Sequence, residues 1–279
     1  MKPVMVGDVG INHCGSLRIA KAIVGMCSGL GVDMVKFQKR TVGKVYRKSA
    51  LDKAKLTQWG STKHHEKLGL EFGKEEYDEI DKWCKTIGIP WFASPWDEEA
   101  VDFLMQYKMP YMKIASACLA NNRMVDKIVE TGLPIIISIG MTPEKKIPAA
   151  IKRANKHGML KHVLMCSSEY PTPDKGINRA GIGKLAEMLK GKEIRVGFSN
   201  HCRRVIHSAA AYAVGCEIIE FHATLDRAFP GDDQLASLRP ASILKLREHL
   251  DALELGEGDG VLEPSESALA KLAQYGWMA

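Results

Sequence analysis

Two lysines lie inside otherwise apolar runs, Lys36 in Met34-Val35-Lys36-Phe37 and Lys113 in Tyr111-Met112-Lys113-Ile114. An ammonium group in such a run loses its water unless an anion or a carboxylate takes its place. Hydroxyls recur at comparable positions: Ser94, Ser116, Ser138, Ser168, Tyr170 and Ser199. Hydroxyl donors beside ammonium groups suit the oxygens of a phosphate, a carboxylate, or both. A lysine so placed is also the nucleophile of Schiff-base chemistry, which stands as the alternative. His201 and His222 close two further apolar runs. Neutral imidazoles from neighbouring elements can share a divalent metal and leave positions open for water and substrate, whereas a histidine satisfied within the fold would do neither. Asp8, Asn12 and His13 follow the first apolar run, and Gln38 ends the second.

What must position these groups is a repeated unit. Short apolar runs at 4–9, 34–38, 90–94, 111–115, 134–138, 162–166, 195–199 and 218–222 read as strands. Helical periodicity follows each, over 16–30, 74–87, 97–107, 121–130, 143–156, 178–189, 202–214 and 240–250. In the first helix Leu17, Ala20, Ile23 and Val24 share a face, and Gly88 is a stop signal for the second. Strands alternating with helices imply parallel pairing through right-handed crossovers. Eight such units are the size of a (β/α)₈ TIM barrel in a single domain, here residues 1–264, with 265–279 as a helical tail. An open doubly wound sheet is the second choice, but no GxGxxG follows the first strand. A barrel gathers its active site at the carboxyl ends of its strands, where the residues named above fall. The polar stretch 39–73 is long and irregular for a compact domain, and reads as a functional loop.

Composition narrows the classes of partner. The chain has 39 Lys+Arg against 33 Asp+Glu, a formal charge of +6 without basic blocks, which argues against nucleic acid. No apolar run approaches the roughly 18 residues of a membrane span, and the first ten residues do not read as a signal peptide. Seven scattered cysteines with no CxxC fit reduced thiols and a cytoplasmic setting.

Taken in order, the strand ends resemble the sialic acid synthase family. The resemblance rests on Gly7-Asp8-Val9-Gly10-Ile11-Asn12-His13, Val35-Lys36-Phe37-Gln38, Ser94-Pro95-Trp96-Asp97 and Lys113-Ile114-Ala115-Ser116. It continues through Ile137-Ser138-Ile139-Gly140-Met141, Glu169-Tyr170-Pro171-Thr172-Pro173, Gly197-Phe198-Ser199-Asn200-His201 and Ile219-Glu220-Phe221-His222-Ala223-Thr224-Leu225-Asp226-Arg227. Such a resemblance implies condensation of phosphoenolpyruvate with N-acetylmannosamine or a related amino-sugar aldose, giving a nonulosonic (sialic-type) acid and phosphate. By position, Lys36, Lys113, Ser94, Ser116, Ser138, Ser168, Tyr170 and Ser199 would contact phosphoenolpyruvate. His201 and His222 would hold Mn²⁺, or Mg²⁺ or Co²⁺ in its place. Gln38 and Asp233 would contact the sugar, and Asp8 would stand where the family carries its acid/base glutamate. The chain departs from the family pattern at Asp8, Cys118, Ser168 and Asn200, and the resemblance extends over the barrel without the family's C-terminal antifreeze-like domain. These departures keep a second expectation open, an anion-binding barrel with altered chemistry that serves as a regulatory or partner-binding module. A homodimer is also in keeping with the resemblance, and the 39–73 loop, with Tyr46, Trp59, Thr62, His64 and His65, is expected to cover the sugar.

Overall fold

A computed structural model describes residues 2–275. Eight parallel strands close on themselves: β1 (Val4–Asp8), β2 (Met34–Lys39), β3 (Trp91–Pro95), β4 (Met112–Ile114), β5 (Ile135–Ser138), β6 (Leu160–Cys166), β7 (Arg195–Asn200) and β8 (Ile218–His222). Each pairs with its neighbours in sequence, and β8 pairs with β1. The outer helices are α1 (Leu17–Gly29), α2 (Lys74–Ile87), α3 (Glu98–Leu104), α4 (Asn122–Glu130), α5 (Ile147–Ala154), α6 (Ala180–Leu189), α7 (Ile206–Ala213) and α8 (Pro240–Leu255). The predicted (β/α)₈ barrel is therefore the observed one.

Local chemistry fixes several boundaries. The Ser16 hydroxyl accepts the Ile19 N–H at the start of α1, and the Asp97 carboxylate accepts the Glu99 and Ala100 N–H groups at the start of α3. Gly88 ends α2 with φ 74°, the left-handed conformation that glycine adopts without penalty. Helix α7 begins at Ile206 rather than Cys202, because Asn200 folds back on the chain: its Oδ1 accepts the Cys202 N–H and its Nδ2 donates to the Cys202 carbonyl.

Strand residues two apart face the same side, so β8 sends Ile218, Glu220 and His222 inward in successive layers. The lowest layer is apolar and tight. A Cβ at Gly197 would lie 2.3 Å from both Ile218 Cγ2 and Leu164 Cδ2, so only glycine fits there. The rim is set by register: Asp8 pairs with His222 on one side and with Lys36 on the other. The 39–73 segment, expected to be irregular, carries two helical turns (Val42–Val45 and Lys48–Leu51), a hairpin (Ala54–Thr57 with Gly60–Thr62) and a short helix (Lys63–Gly69). After α8 a final helix spans Glu266–Leu272; the remainder of the expected tail, 276–279, lies outside the described residues. Among the described residues no helix is long and apolar enough to cross a membrane.

Candidate active site

At the carboxyl ends of the strands a cavity of about 230 Å³ is lined by Asp8, Lys36, Gln38, Ser94, Lys113, Ser116, Ser138, Ser168, Tyr170, Ser199, His201, His222 and Asp233. Every site residue expected from the sequence thus lines one concavity. A larger groove of about 870 Å³ lies outside it between α4 and α5, sharing only Ser116, Ala117 and Met141, and no comparable set of buried polar groups converges there.

The floor is a buried network of charges. Lys36 Nζ is 2.9 Å from Asp8 Oδ2 and 3.1 Å from Glu220 Oε2. Lys113 Nζ donates to Ser138 Oγ at 2.7 Å and lies 3.7 Å from Glu220 Oε1, which also accepts the Ser199 hydroxyl at 2.9 Å. Two ammonium groups and two carboxylates balance here, so burial is tolerated by mutual compensation. Burial alone would lower the basicity of Lys36, but Asp8 and Glu220 more than reverse it. Lys113 is different: burial dominates, Glu220 only partly offsets it, and its pKa stays below the ordinary lysine value. Burial would raise the Glu220 carboxyl, yet Lys113 and Lys36 hold it well below the usual carboxylate range.

Glu220 and Arg40 have no assigned role in the sequence reading. Glu220 breaks an apolar run two residues before His222, which is the same signal that picks out Lys36 and Lys113. Arg40 is buried by the 39–73 loop; it stacks on Trp96 and donates to Glu71 and to the side-chain Oε1 of Gln38. That contact turns the Gln38 amide group toward Asp8, with Nε2 donating to Oδ2 at 3.1 Å.

Above the floor stand the imidazoles. His201 Nδ1 lies 2.6 Å from the Ser167 carbonyl and so carries the proton, leaving Nε2 to accept from the Tyr170 hydroxyl at 2.9 Å. Burial, then the neighbouring His222, lower the His201 pKa to about 3, so the ring is neutral at any ordinary pH. The two rings lie 5.4 Å apart between centroids. His222 Nδ1 is buried with no hydrogen-bond partner, 3.5 Å from Asp8 Oδ2 and 3.7 Å from Asp233 Oδ2, and Asp8 Oδ1 is likewise unpartnered. Gly10 (φ +50°) keeps the space beside them open, since a Cβ there would sit 3.3 Å from His222 Nδ1 and 3.4 Å from Asp233 Oδ2. A bare imidazole nitrogen and a bare carboxylate oxygen, with His201 Nε2 held only by the Tyr170 hydroxyl, are donors of the kind a divalent cation takes.

Other expected residues divide. Ser94 Oγ is buried and unpartnered, hence available to a ligand. Ser116 Oγ accepts the Met141 N–H at 2.6 Å and ties two rim loops together. Asn12 and His13 do not serve the cavity: Asn12 Nδ2 donates to the Ala223 carbonyl and to Ser237 Oγ, and His13 stacks on Phe72 with its pKa lowered by burial to about 3. Cys118 is buried in the core. The hairpin region meets the loop after β8 through ions: Lys55 lies 3.2 Å from Asp232 and 2.6 Å from Glu66, and Lys67 lies 3.2 Å from Asp232.

A closed parallel barrel with paired lysines, hydroxyls and two imidazoles at its carboxyl-end mouth defines an enzyme built for an anionic substrate. Residues 23–261 match the NeuB family, and the chain belongs to it. It is 31% identical to human N-acetylneuraminate-9-phosphate synthase over 271 residues, covering 95% of this chain and 74% of that protein. It is 30% identical to N,N'-diacetyllegionaminic acid synthase of Campylobacter jejuni, over 95% of this chain and 80% of that one. Among solved structures, N-acetylneuraminic acid synthetase of Leptospira borgpetersenii in complex with citrate superposes with TM-score 0.84 at 25% identity, covering 98% of this chain and 91% of that chain. The chain is accordingly a sialic acid synthase-like enzyme that uses phosphoenolpyruvate.

Proposed function

We propose that the protein condenses phosphoenolpyruvate with an N-acetylmannosamine-like amino-sugar aldose, yielding a nonulosonic acid and inorganic phosphate. The observation that carries this is the layering of one cavity: lysines and serines at the floor, imidazoles, Gln38 and Asp233 above. Phosphoenolpyruvate would enter the lower layer, where Lys36 and Lys113 meet its charged oxygens and Ser94, Ser116, Ser138, Ser168 and Ser199 supply hydroxyls. Holding it there fixes the approach of the enol carbon to the aldehyde, and so removes much of the entropic barrier to bringing two substrates together. The aldose would lie above, with Gln38 and Asp233 toward its hydroxyls.

His201 Nε2 and His222 Nδ1 would hold Mn²⁺ or a similar ion, which when bound polarises the aldehyde oxygen and adds positive charge to a floor that is neutral by itself. Bond formation between the enol carbon and the aldehyde carbon leaves a cationic centre at the phosphate-bearing carbon. Water adds to that centre, and the carbon–oxygen bond to phosphate breaks. Asp8 is the base for this water through its free Oδ1, while Lys36 holds the other oxygen. The test is phosphate release from phosphoenolpyruvate and Mn²⁺ across a panel of aldoses. Release dependent on an amino-sugar acceptor supports the reading; none from folded protein across the panel overturns it.

A further inference from the structure

A group of metal-ligating side chains gathers outside the lining of the mouth cavity. Asp174 lies in a single helical turn after β6 (Asp174–Gly176), Cys202 follows β7, and His207 is in the first turn of α7. Their ligand atoms all lie within 4.8 Å of one another, the one such group of three or more among the described residues. Asp174 Oδ1 is the hub, 2.8 Å from His207 Nε2 and 3.7 Å from Cys202 Sγ. Arg204 approaches the other oxygen, Oδ2, at 3.5 Å, and so turns Oδ1 toward the thiol and the imidazole.

We propose that Asp174, Cys202 and His207 form a distinct site for a thiophilic divalent ion such as Zn²⁺. Zinc takes sulfur at about 2.3 Å and nitrogen or oxygen at about 2.0–2.2 Å in a tetrahedron, so its ligands sit about 3.3–3.8 Å apart. The Asp174 separations of 2.8 and 3.7 Å, with all three ligand atoms within 4.8 Å, need only small side-chain rotations to meet that. Three protein ligands leave the fourth position to water, on the side where Asp174 is exposed. Binding replaces the His207–Asp174 hydrogen bond, leaves the imidazole protonated on Nδ1, and releases the thiol proton to solvent. The sulfur ligand separates this site from the mouth, where nitrogen and oxygen donors suit a harder ion.

The position gives the site a purpose. The segment carrying Asp174 also carries Tyr170, and it is already laid against the end of β7 by the Thr172 N–H donating to the His201 carbonyl at 2.9 Å. A metal joining Asp174 to Cys202 and His207 would brace that segment from outside the cavity lining and so help to fix Tyr170 and His201.

Titrating the purified protein with Co²⁺ tests this independently of any synthase activity. A thiolate-to-cobalt charge-transfer band should appear in the near ultraviolet, vanish in Cys202→Ser, and weaken in Asp174→Asn and His207→Gln, whose side chains are partly exposed. His201→Ala should leave it intact, and Zn²⁺ should displace it. No band in the wild type, a band that survives Cys202→Ser, or one that is lost with His201→Ala but kept in His207→Gln would overturn the assignment. If Cys202→Ser does not fold, the Asp174 and His207 variants decide.

Discussion

Lys36 reaches past β1 to Glu220, and the two meet 3.1 Å apart inside the barrel with almost no exposure to water. Each comes from a strand that flanks β1, and neither is tolerable there alone. Replacing Glu220 with Gln should leave Lys36 and Lys113 facing each other with one carboxylate fewer, lowering stability by about 3 kcal/mol. Phosphoenolpyruvate should then raise the melting temperature of Glu220→Gln more than that of the wild type, because it restores the missing negative charge. Urea unfolding and thermal shift with and without the ligand measure both effects; an equal ligand shift in the two proteins would sink the compensation argument.

Asp8 has one oxygen held by Lys36 and one free. Asp8→Asn keeps the shape and removes the base, so kcat should fall about a hundredfold or more, while the apparent affinity for phosphoenolpyruvate should not weaken, since its charge would answer the ammonium group that Asp8 leaves. Asp8→Glu, which restores the family's usual acid, should retain most of the activity. Steady-state kinetics with both substrates varied distinguish this from a purely structural role, which would lower both variants alike.

Arg40 acts through Gln38. Replacing it with Met frees the Gln38 amide from its present orientation and should raise the KM for the aldose about tenfold, the loss of one charge-assisted hydrogen bond. The KM for phosphoenolpyruvate should stay where it is. A rise in both constants would mean that the loop itself has shifted.

Lysine chemistry separates the two readings of the site. Lys113→Ala should raise the phosphoenolpyruvate requirement, and chelation should silence the enzyme. Borohydride with a keto acid should leave no covalent adduct. An adduct on Lys113, whose lowered basicity would suit an imine, together with indifference to chelators, would reverse the assignment.

Acid stability follows from three buried histidines. Burial lowers His13 to about 3, His162 to about 4 and His201 to about 3, from an ordinary 6.5. Below pH 6.5 the unfolded chain takes up protons that the folded chain refuses, so this stability is full above 6.5 and is lost as pH falls toward 3–4. Each such histidine contributes a slope of up to about 1.4 kcal/mol per pH unit in that window. Glu220, whose folded value is depressed, enters only below its ordinary 4.5. Unfolding free energies at pH 7 and pH 5 in metal-free buffer should therefore differ, and His162→Gln should shrink the difference. An unchanged slope in that variant would remove His162 from the account.

The barrel could be read from the sequence because each strand is short, apolar and followed by a helix, so period and order alone specify the layers. Lys36 and Lys113 announced themselves as charges inside apolar runs. Glu220 carried the same mark and passed without a role, since a carboxylate answering two lysines is recognisable only once three separate strands are brought together. Asn12 and His13 stood at a strand end like the rest, but the left-handed turn at Gly10 sends them into the packing behind the mouth. The secondary structure of 39–73 stayed hidden because its pieces are too short to show a period and are held by neighbours such as Asp232 rather than by their own pattern.

Those Asp232 contacts have a consequence for handling the protein. Lys55, Lys67 and Asp232 are partly open to solvent, so mobile ions weaken their attraction over a distance of about 8–10 Å at moderate salt, while the sealed interior hardly registers the change. Added sodium chloride should thus loosen the entrance before it disturbs the reacting layer, and buffer composition becomes a dial for how readily sugar comes and goes.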